Sequence, residues 1–451
     1  MDGGGPAGFR PAHGDAASGS YAAPRSHAAW RQPARWRSHG SSGRAGQDAG
    51  SRRSAPGRQK EMKRVAILGG GPAGAFAAET LASAGLGVIL MDEKLAWEKP
   101  CGGGLTHKAY SQYPFLIENS TPKRLVTETV LAAPKAGEVT LQLGDPLLIY
   151  SRLDLNRMLL ERAERAGAQI EKTRVMEMNR KGSGWQLRTA AGNLDADFCI
   201  VATGARNPLR DVGTQLTPPD TMAALGYYVQ GDQARIDIQF LPDLEGYIWI
   251  FPRCGHLSIG ICGKGEPASS LRKRLEAYMA GRGINWKGAA FYSHLLPSLD
   301  TKSWKQNRVS GEGWMAVGDA AGLVDPITGE GLYYAIRSAD LAAQSLLADA
   351  GQEENALQYR RLLRRDFAAD LEFGSRLAKR VFMGRFMLGT VPQRMVEFTR
   401  RSPRFANVMQ DLFAGKQPYL GLKRRLLRNL NGSLYEIAMS FGFSRVVPKA
   451  G

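Results

Sequence analysis

From Val65 the chain follows a strand-helix-strand rhythm. Val65 to Leu68 is an apolar run that reads as a buried strand. A glycine-rich turn follows, then apolar residues at helical spacing from about Ala73 to Ala84, then a second apolar run from Val88 to Met91. After Arg152 the segment LDLNRMLLERAERAG puts Leu155, Met158, Leu159 and Ala163 on one helical face and stops at Gly167. A further strand is expected at Asp197 to Ala202, and another strand-turn-helix between Trp314 and Leu347. Between them, from about Gly226 to Gly263, short runs rich in Tyr, Ile, Phe and Trp alternate with other residues. That pattern predicts an antiparallel sheet with one buried face. From Glu353 onward Arg-rich amphipathic helices are expected, broken near Pro392, Pro403 and Pro418. No internal repeat is visible.

Residues 1–61 lie outside this rhythm. Gly, Ala, Ser, Arg and Pro dominate them, no run can bury an apolar face, and disorder is expected. Met62-Lys63-Arg64 directly precedes the first strand, so Met62 is an alternative start. An Arg-rich targeting peptide is opposed by Asp2, Asp15 and Asp48. The 451 residues leave room for two or three domains, and no stretch supplies the ~18 consecutive apolar residues of a membrane span.

The net charge of +18 is unevenly spread: +6 in residues 1–61, +11 in 353–451, and only +1 between them. A basic C-terminal segment suits an anionic surface. Its mixture of apolar and basic residues, in KRVFMGRFMLG and YLGLKRRLLRNL, favours a membrane surface over nucleic acid, for which no binding motif is present. Phe382, Phe386, Leu426 and Leu427 are the residues expected to enter lipid. The rival expectation is that these helices cover a pocket. Cys101, Cys199, Cys254 and Cys262 form no C-x-x-C pair and have no zinc-ligand spacing, so no metal site is expected. Such thiols, in a chain lacking an apolar secretory stretch, point to the cytoplasm, with peripheral contact at the inner face of its membrane.

The chemistry starts at the first turn. Gly69, Gly71 and Gly74 make G-x-G-x-x-G between a strand and a helix opened by Pro72 and Ala73. The first glycine permits the turn, the second lets backbone approach a pyrophosphate, and the third allows close helix-strand packing. Asp92, about 20 residues on, ends the second strand where a carboxylate accepts from a ribose hydroxyl, with Glu93 as the alternative. A ligand-free glycine turn is the plainer reading, but strand, helix and carboxylate together favour a dinucleotide. The motif alone does not separate FAD from NAD.

Later segments do. GEGWMAVGDAAGLVDPITGEGLYYAIRSADLAAQ resembles the FAD enzymes of the p-hydroxybenzoate hydroxylase fold. The resemblance implies that Asp319 binds the ribityl chain of FAD. It also implies that the loop with Pro326, Gly329, Glu330 and Gly331 lies along the isoalloxazine ring, that Arg152 sits near the FAD, and that the backbone of Val175 meets adenine. CIVATGARNPLR resembles that family's third motif but carries Thr203-Gly204 where Asp-Gly is usual. Gly204 remains a cofactor contact, while a carboxylate linked to pyridine-nucleotide use is missing. No second strand-GxGxxG-helix unit is visible, so the electron donor, NAD(P)H or a ferredoxin, is expected to bind transiently.

EKPCGGGL and GYIWIFPRCGHLSIGI resemble the geranylgeranyl reductase group. That likeness implies that Cys101, Gly102 and Gly103 lie by the flavin, and that Gly104, Tyr247, Trp249, Phe251 and Pro252 line a cavity for an isoprenoid or lipid. Alternating aromatics also occur in plain buried sheets, and Cys101 also reads as a small packed residue. Cys101 and a tyrosine near the pocket are candidates to protonate the substrate, and the sequence does not single out the donor.

The fold expected is α/β, α+β overall. A Rossmann-type FAD-binding domain (62–115, 151–210 and 311–352) carries an inserted antiparallel substrate domain (116–150 and 211–310) and a basic helical region (353–451). The function expected is FAD-dependent reduction of isoprenoid carbon-carbon double bonds. The alternatives are a flavin-dependent monooxygenase or halogenase, since G-Y-x-W-x-F-P is one step from a halogenase signature, and a lipid-binding flavoprotein without turnover.

Overall fold

The computed structural model describes residues 64–209, 211–429 and 432, so the expectation for residues 1–61 falls outside it. In chain order β1 (Arg64–Leu68), α1 (Pro72–Ser83) and β2 (Gly87–Met91) form the first βαβ unit, followed by β3 (Gly104–Leu105) and α2 (His107–Gln112). A long hairpin of β4 (Lys123–Ala133) and β5 (Gly137–Tyr150) leads to α3 (Arg152–Arg165) and β6 (Gln169–Glu171). A meander of β7 (Val175–Lys181), β8 (Gly184–Thr189) and β9 (Gly192–Ala196) leads back to β10 (Phe198–Val201). Then come β11 (Thr221–Val229), β12 (Ile236–Phe240), β13 (Glu245–Arg253), β14 (His256–Lys264), α4 (Ala268–Gly281), β15 (Ala290–Pro297) and α5 (Thr301–Gln306). The chain returns through β16 (Ser310–Gly311), β17 (Trp314–Ala316) and α6 (Leu332–Leu347). It continues with α7 (Gln352–Leu363), α8 (Ala369–Met383), the hairpin β18 (Arg385–Phe386) and β19 (Gly389–Thr390), α9 (Val391–Arg401) and α10 (Pro403–Phe413).

Two sheets organise these elements. One has the order β16-β17-β10-β1-β2-β6 and is parallel from β17 to β6. Its central strand, VAIL, is fully apolar because both faces are covered, and α1 packs against α3 and α6 beside it. The other has the order β15-β11-β14-β13-β12-β4-β5-β3, antiparallel except where β12 joins β4. The mixed α/β class with a Rossmann-like sheet and a second antiparallel sheet is therefore as expected.

One sequence expectation is corrected. From Gly226 to Gly263 the second sheet buries both faces, not one. Along β13, Tyr247, Trp249 and Phe251 face one side, while Ile248 and Ile250 pack with Ile259, Ile261 and the α4 residues Leu271, Leu275 and Met279 on the other. Helix α4 covers the back of the sheet, which is why the strand reads Y-I-W-I-F without polar interruptions. No helix among the described residues is long and apolar enough to cross a membrane.

Candidate functional site

The first part of the site is the turn between β1 and α1. An alanine methyl at Gly74 would lie 1.9 Å from the Gly69 carbonyl oxygen, so helix and turn are in backbone contact there. At Gly71 nothing lies within 4 Å, which leaves open space over the start of α1. That helix has no side-chain cap and no acid in its first turn, so its leading N–H groups are available to an anion. Pro72 and Ala73 are buried at its start. Asp92 ends the turn's neighbour β2 and organises both loops: its carboxylate accepts from the amides of Gly70, Lys94 and Leu95, each at 2.7 Å. Glu93 instead points to the surface, 3.6 Å from Arg174. Val175 is buried at the start of β7, and Gly204 follows β10 with φ +80°.

The second part gathers charge. Asp319 sits on a short 3₁₀ turn, Gly318–Ala321, just after β17. Burial by itself would push its carboxyl up, but the charges of Lys99, with Nζ at 3.2 Å, and Arg152 hold it below the ordinary value. Arg152 is buried. One guanidinium nitrogen reaches Asn156 at 3.3 Å, and its Nε has no partner among the described residues. His294 Nε2 is likewise unpartnered, and burial followed by the charge of Lys99 drives His294 far toward the neutral form. Buried polar groups of this kind are normally satisfied. A glycine turn shaped for backbone approach, together with a buried guanidinium whose Nε is unpartnered, fits a phosphate-bearing dinucleotide, and Asp319 fits its hydroxyls.

The third part is the loop Glu98–Gly104. Glu98 accepts from Ser151 Oγ at 2.5 Å and from the Arg152 amide at 3.0 Å, and pairs with Arg253, whose side chain is 0% exposed. Burial works against that carboxylate, but Arg253, Ser151 and the Arg152 amide outweigh it and lower its pKa. Arg253 also donates to the Cys101 carbonyl, which Ser258 Oγ reaches at 3.3 Å. The end of β13 therefore clamps the loop. Gly103 has φ +82°, and a side chain there would meet the Tyr150 carbonyl oxygen at 2.1 Å, so glycine is required. A methyl at Gly102 or Gly104 would lie 3.2 Å from the Phe251 ring.

The third part, from Pro100 to Gly104, borders a cavity of about 500 Å³, mostly apolar, within the roughly 300–1,000 Å³ usual for ligand sites. Its walls come from the sheet (Tyr247, Trp249, Phe251, Cys262, Tyr292), from Pro100 to Gly104, from the loop Asp325 to Leu332 except Pro326, and from α8 to α10 (Val381, Phe382, Met395, Met409, Phe413). The structure thus brings Cys101, Gly102, Gly103, Gly104, Tyr247, Trp249, Phe251, Gly329, Glu330 and Gly331 to one space. Pro252 is buried but off the lining. Phe382, expected at a lipid surface, is 4% exposed and lies in the wall instead, because α8 turns its apolar face to the sheet. Leu427 and Phe386 are exposed, and Leu426 is half-buried.

The loop from Asp325 to Gly331 is rigidly held. Buried Asp325 accepts from the amides of Ile327 (2.8 Å) and Thr328 (2.9 Å) and from the Tyr419 hydroxyl (2.9 Å), and Tyr247 donates to the Thr328 carbonyl. Glu330 faces the cavity with Thr106 Oγ1 at 3.3 Å. Burial, then the neighbouring Asp325 charge, push its carboxyl up to about 7. Sequence reasoning missed Arg253 and Lys99, because each depends on contacts between distant segments, and the raised pKa of Glu330, because it depends on burial.

Residues 63–216 match the pyridine nucleotide-disulphide oxidoreductase family. Geranylgeranyl diphosphate reductase of Arabidopsis thaliana is 27% identical over 65% of this chain and 68% of its own length. Menaquinone reductase of Mycobacterium tuberculosis is 29% identical over 76% of this chain and 89% of its own. The solved geranylgeranyl bacteriochlorophyll reductase-like protein of Thermoplasma acidophilum covers 81% of this chain and 99% of that one, at 22% identity and TM-score 0.68. Solved FAD-dependent halogenase and monooxygenase structures share the fold as well, at 20% and 19% identity and TM-scores of 0.57 and 0.56. The fold is that of FAD-dependent oxidoreductases.

Proposed function

From a chain that resembles the geranylgeranyl reductases in sequence and has the fold of FAD-dependent oxidoreductases, we propose a flavoenzyme that saturates carbon-carbon double bonds of an isoprenoid chain. The observation that carries this reading is the apolar cavity. Its lining includes Glu330, whose buried carboxyl is pushed up to about 7, as well as Cys101 to Gly104.

FAD, when bound, supplies the hydride for one alkene carbon and is recharged by NAD(P)H or a ferredoxin-type donor. Gly69, Gly71, Gly74, Arg152 and Asp319 would hold it, the first four toward its phosphates and the last toward its sugar-alcohol chain. The protein's own task is to orient the alkene and to protonate its other carbon. Trp249, Phe251 and Tyr292 exclude water and hold the chain in place by apolar contact. Glu330, kept protonated near neutrality, gives its proton to the second carbon, and the carboxylate left behind accepts from Thr106 and is neutralised from solvent before the next turnover. Hydride plus proton balances the addition of two hydrogens.

The test is anaerobic. Protein loaded with FAD and reduced with dithionite is mixed with a geranylgeranyl lipid, and products are read by mass spectrometry. Saturated product with flavin reoxidation is expected. Reduced flavin that persists with no saturated product would overturn the reductase reading and leave either oxygen-dependent chemistry or lipid binding without turnover.

A further inference from the structure

We propose that the hairpin Arg385–Thr390 docks this protein on an anionic lipid bilayer. The pairing of Arg385 with Thr390 and Phe386 with Gly389 leaves Met387 and Leu388 as the two tip residues. Both have positive φ, 47° and 61°. Two-residue hairpin turns with both φ values positive are normally filled by Asn and Gly, because larger side chains crowd their own backbone there. Here the tip carries two large apolar residues, and they face solvent: Met387 is 54% exposed and Leu388 fully so, with Phe386 half exposed beside them. A strained turn that presents apolar side chains to water is unfavourable for the isolated chain on both counts. It makes sense if those side chains meet a nonaqueous partner. The tip is also braced from within, since Arg394 donates to the carbonyls of Phe386 (3.4 Å) and Met387 (2.5 Å), and the Val391 amide closes on the Gly384 carbonyl at 2.9 Å.

Charge identifies the partner. Residues 373–396 contain five Lys and Arg and no Asp or Glu. Arg376 and Arg394 are paired with Glu372 and Glu397 just outside that stretch. Lys379, Arg380 and Arg385 are exposed and meet no carboxylate among the described residues. Apolar side chains flanked by unpaired cations are complementary to a bilayer with anionic headgroups: the cations sit at the phosphates while the tip enters the acyl boundary. The hairpin also joins α8 to α9, and Phe382 and Met395 on those helices line the cavity. The bilayer would then lie about one or two helical turns, of roughly 5 Å each, from the cavity wall. Docking itself does not depend on the proposed reaction; only its use in supplying an isoprenoid chain does.

The experiment is co-sedimentation of the full chain, loaded with FAD, with phosphatidylcholine vesicles with and without phosphatidylglycerol. The wild type is expected to sediment with anionic vesicles at low salt. Met387→Asn/Leu388→Gly is expected to bind about tenfold more weakly or worse, while unfolding at an equal or higher temperature because the turn is relaxed. Lys379→Gln/Arg380→Gln/Arg385→Gln is expected to lose the preference for anionic over neutral vesicles. Wild type that ignores both vesicles, or a tip variant that sediments like wild type, overturns the proposal. So does a wild-type dimer that becomes monomeric in the tip variant with vesicle binding unchanged, which would make the tip a contact between copies. Turnover of a short soluble isoprenoid alcohol, read on the same samples, separates failure of docking from failure of the reductase reading.

Discussion

Replacing Glu330 by Gln removes a cavity carboxyl whose pKa is pushed up to about 7 while preserving its size. The wild-type carboxyl titrates at about 7, raised first by burial and then by Asp325. As a proton donor it is active when protonated, so the rate should be full at low pH and fall as pH rises through about 7. Between pH 6 and 8 the protonated fraction drops from about nine-tenths to about one-tenth, so the single-turnover rate should drop about tenfold. Glu330→Gln should be slower by roughly 10²–10⁴-fold and lose that inflection, with little change in substrate affinity, since the cavity contacts are apolar. Thr106→Val removes a hydrogen bond that favours the carboxylate, which should move the inflection to higher pH. Linkage gives an independent check. A carboxyl raised in the folded state contributes stability that is fully present below the ordinary value of 4.5 and is lost as pH rises through about 7. The fall in thermal stability over that window should be smaller in Glu330→Gln. The assay is anaerobic flavin reoxidation by stopped flow from pH 5 to 9. A Gln variant that keeps the wild-type inflection would refute the assignment.

Gly74→Val should abolish flavin loading, because a Cβ there would lie 1.9 Å from the Gly69 carbonyl oxygen; the flavin-to-protein absorbance ratio of the purified variant reads this directly. Glu98→Gln leaves the fully buried Arg253 guanidinium without its counter-charge. Broken buried pairs cost about 3–5 kcal/mol, and Glu98 at 27% exposed belongs at the lower end of that range. Chemical denaturation should show that loss, and Glu98→Gln/Arg253→Met should recover part of it. Cys101→Ala should slow turnover without moving the pH inflection, if the proton comes from Glu330 as proposed. An inflection that vanishes in Cys101→Ala and persists in Glu330→Gln would reverse those roles.

The nucleotide-binding half was legible because its signals are local. A strand such as Val65 to Leu68, a glycine turn and a helix are contiguous, and each is fixed by sterics within a few residues. The aromatic strand was legible as a strand but not as to its faces. Alternation cannot show that α4, beginning 15 residues after Arg253, covers the back of the sheet. The clamp on Cys101 was invisible for a related reason. Glu98 and Arg253 are 155 residues apart, and neither is unusual in its own segment.

The C-terminal region separates the two kinds of information most clearly. Composition identified it as basic and apolar, and that reading could not distinguish a pocket wall from a lipid surface, because α8 and the hairpin that follows it have nearly the same residue types. Packing divides them within a few residues: Phe382 is 4% exposed and lines the cavity, while Phe386 is 50% exposed on the hairpin. The division falls at Gly384, where a side chain would meet the Arg380 carbonyl oxygen at 2.2 Å. Glycine permits the chain to leave helix α8 there, and the residues beyond it leave the face that the helix buries. A residue with a side chain at that position would push the break elsewhere and change which phenylalanine is buried. The placement of one glycine thus decides which apolar residues serve the cavity and which remain for the surface.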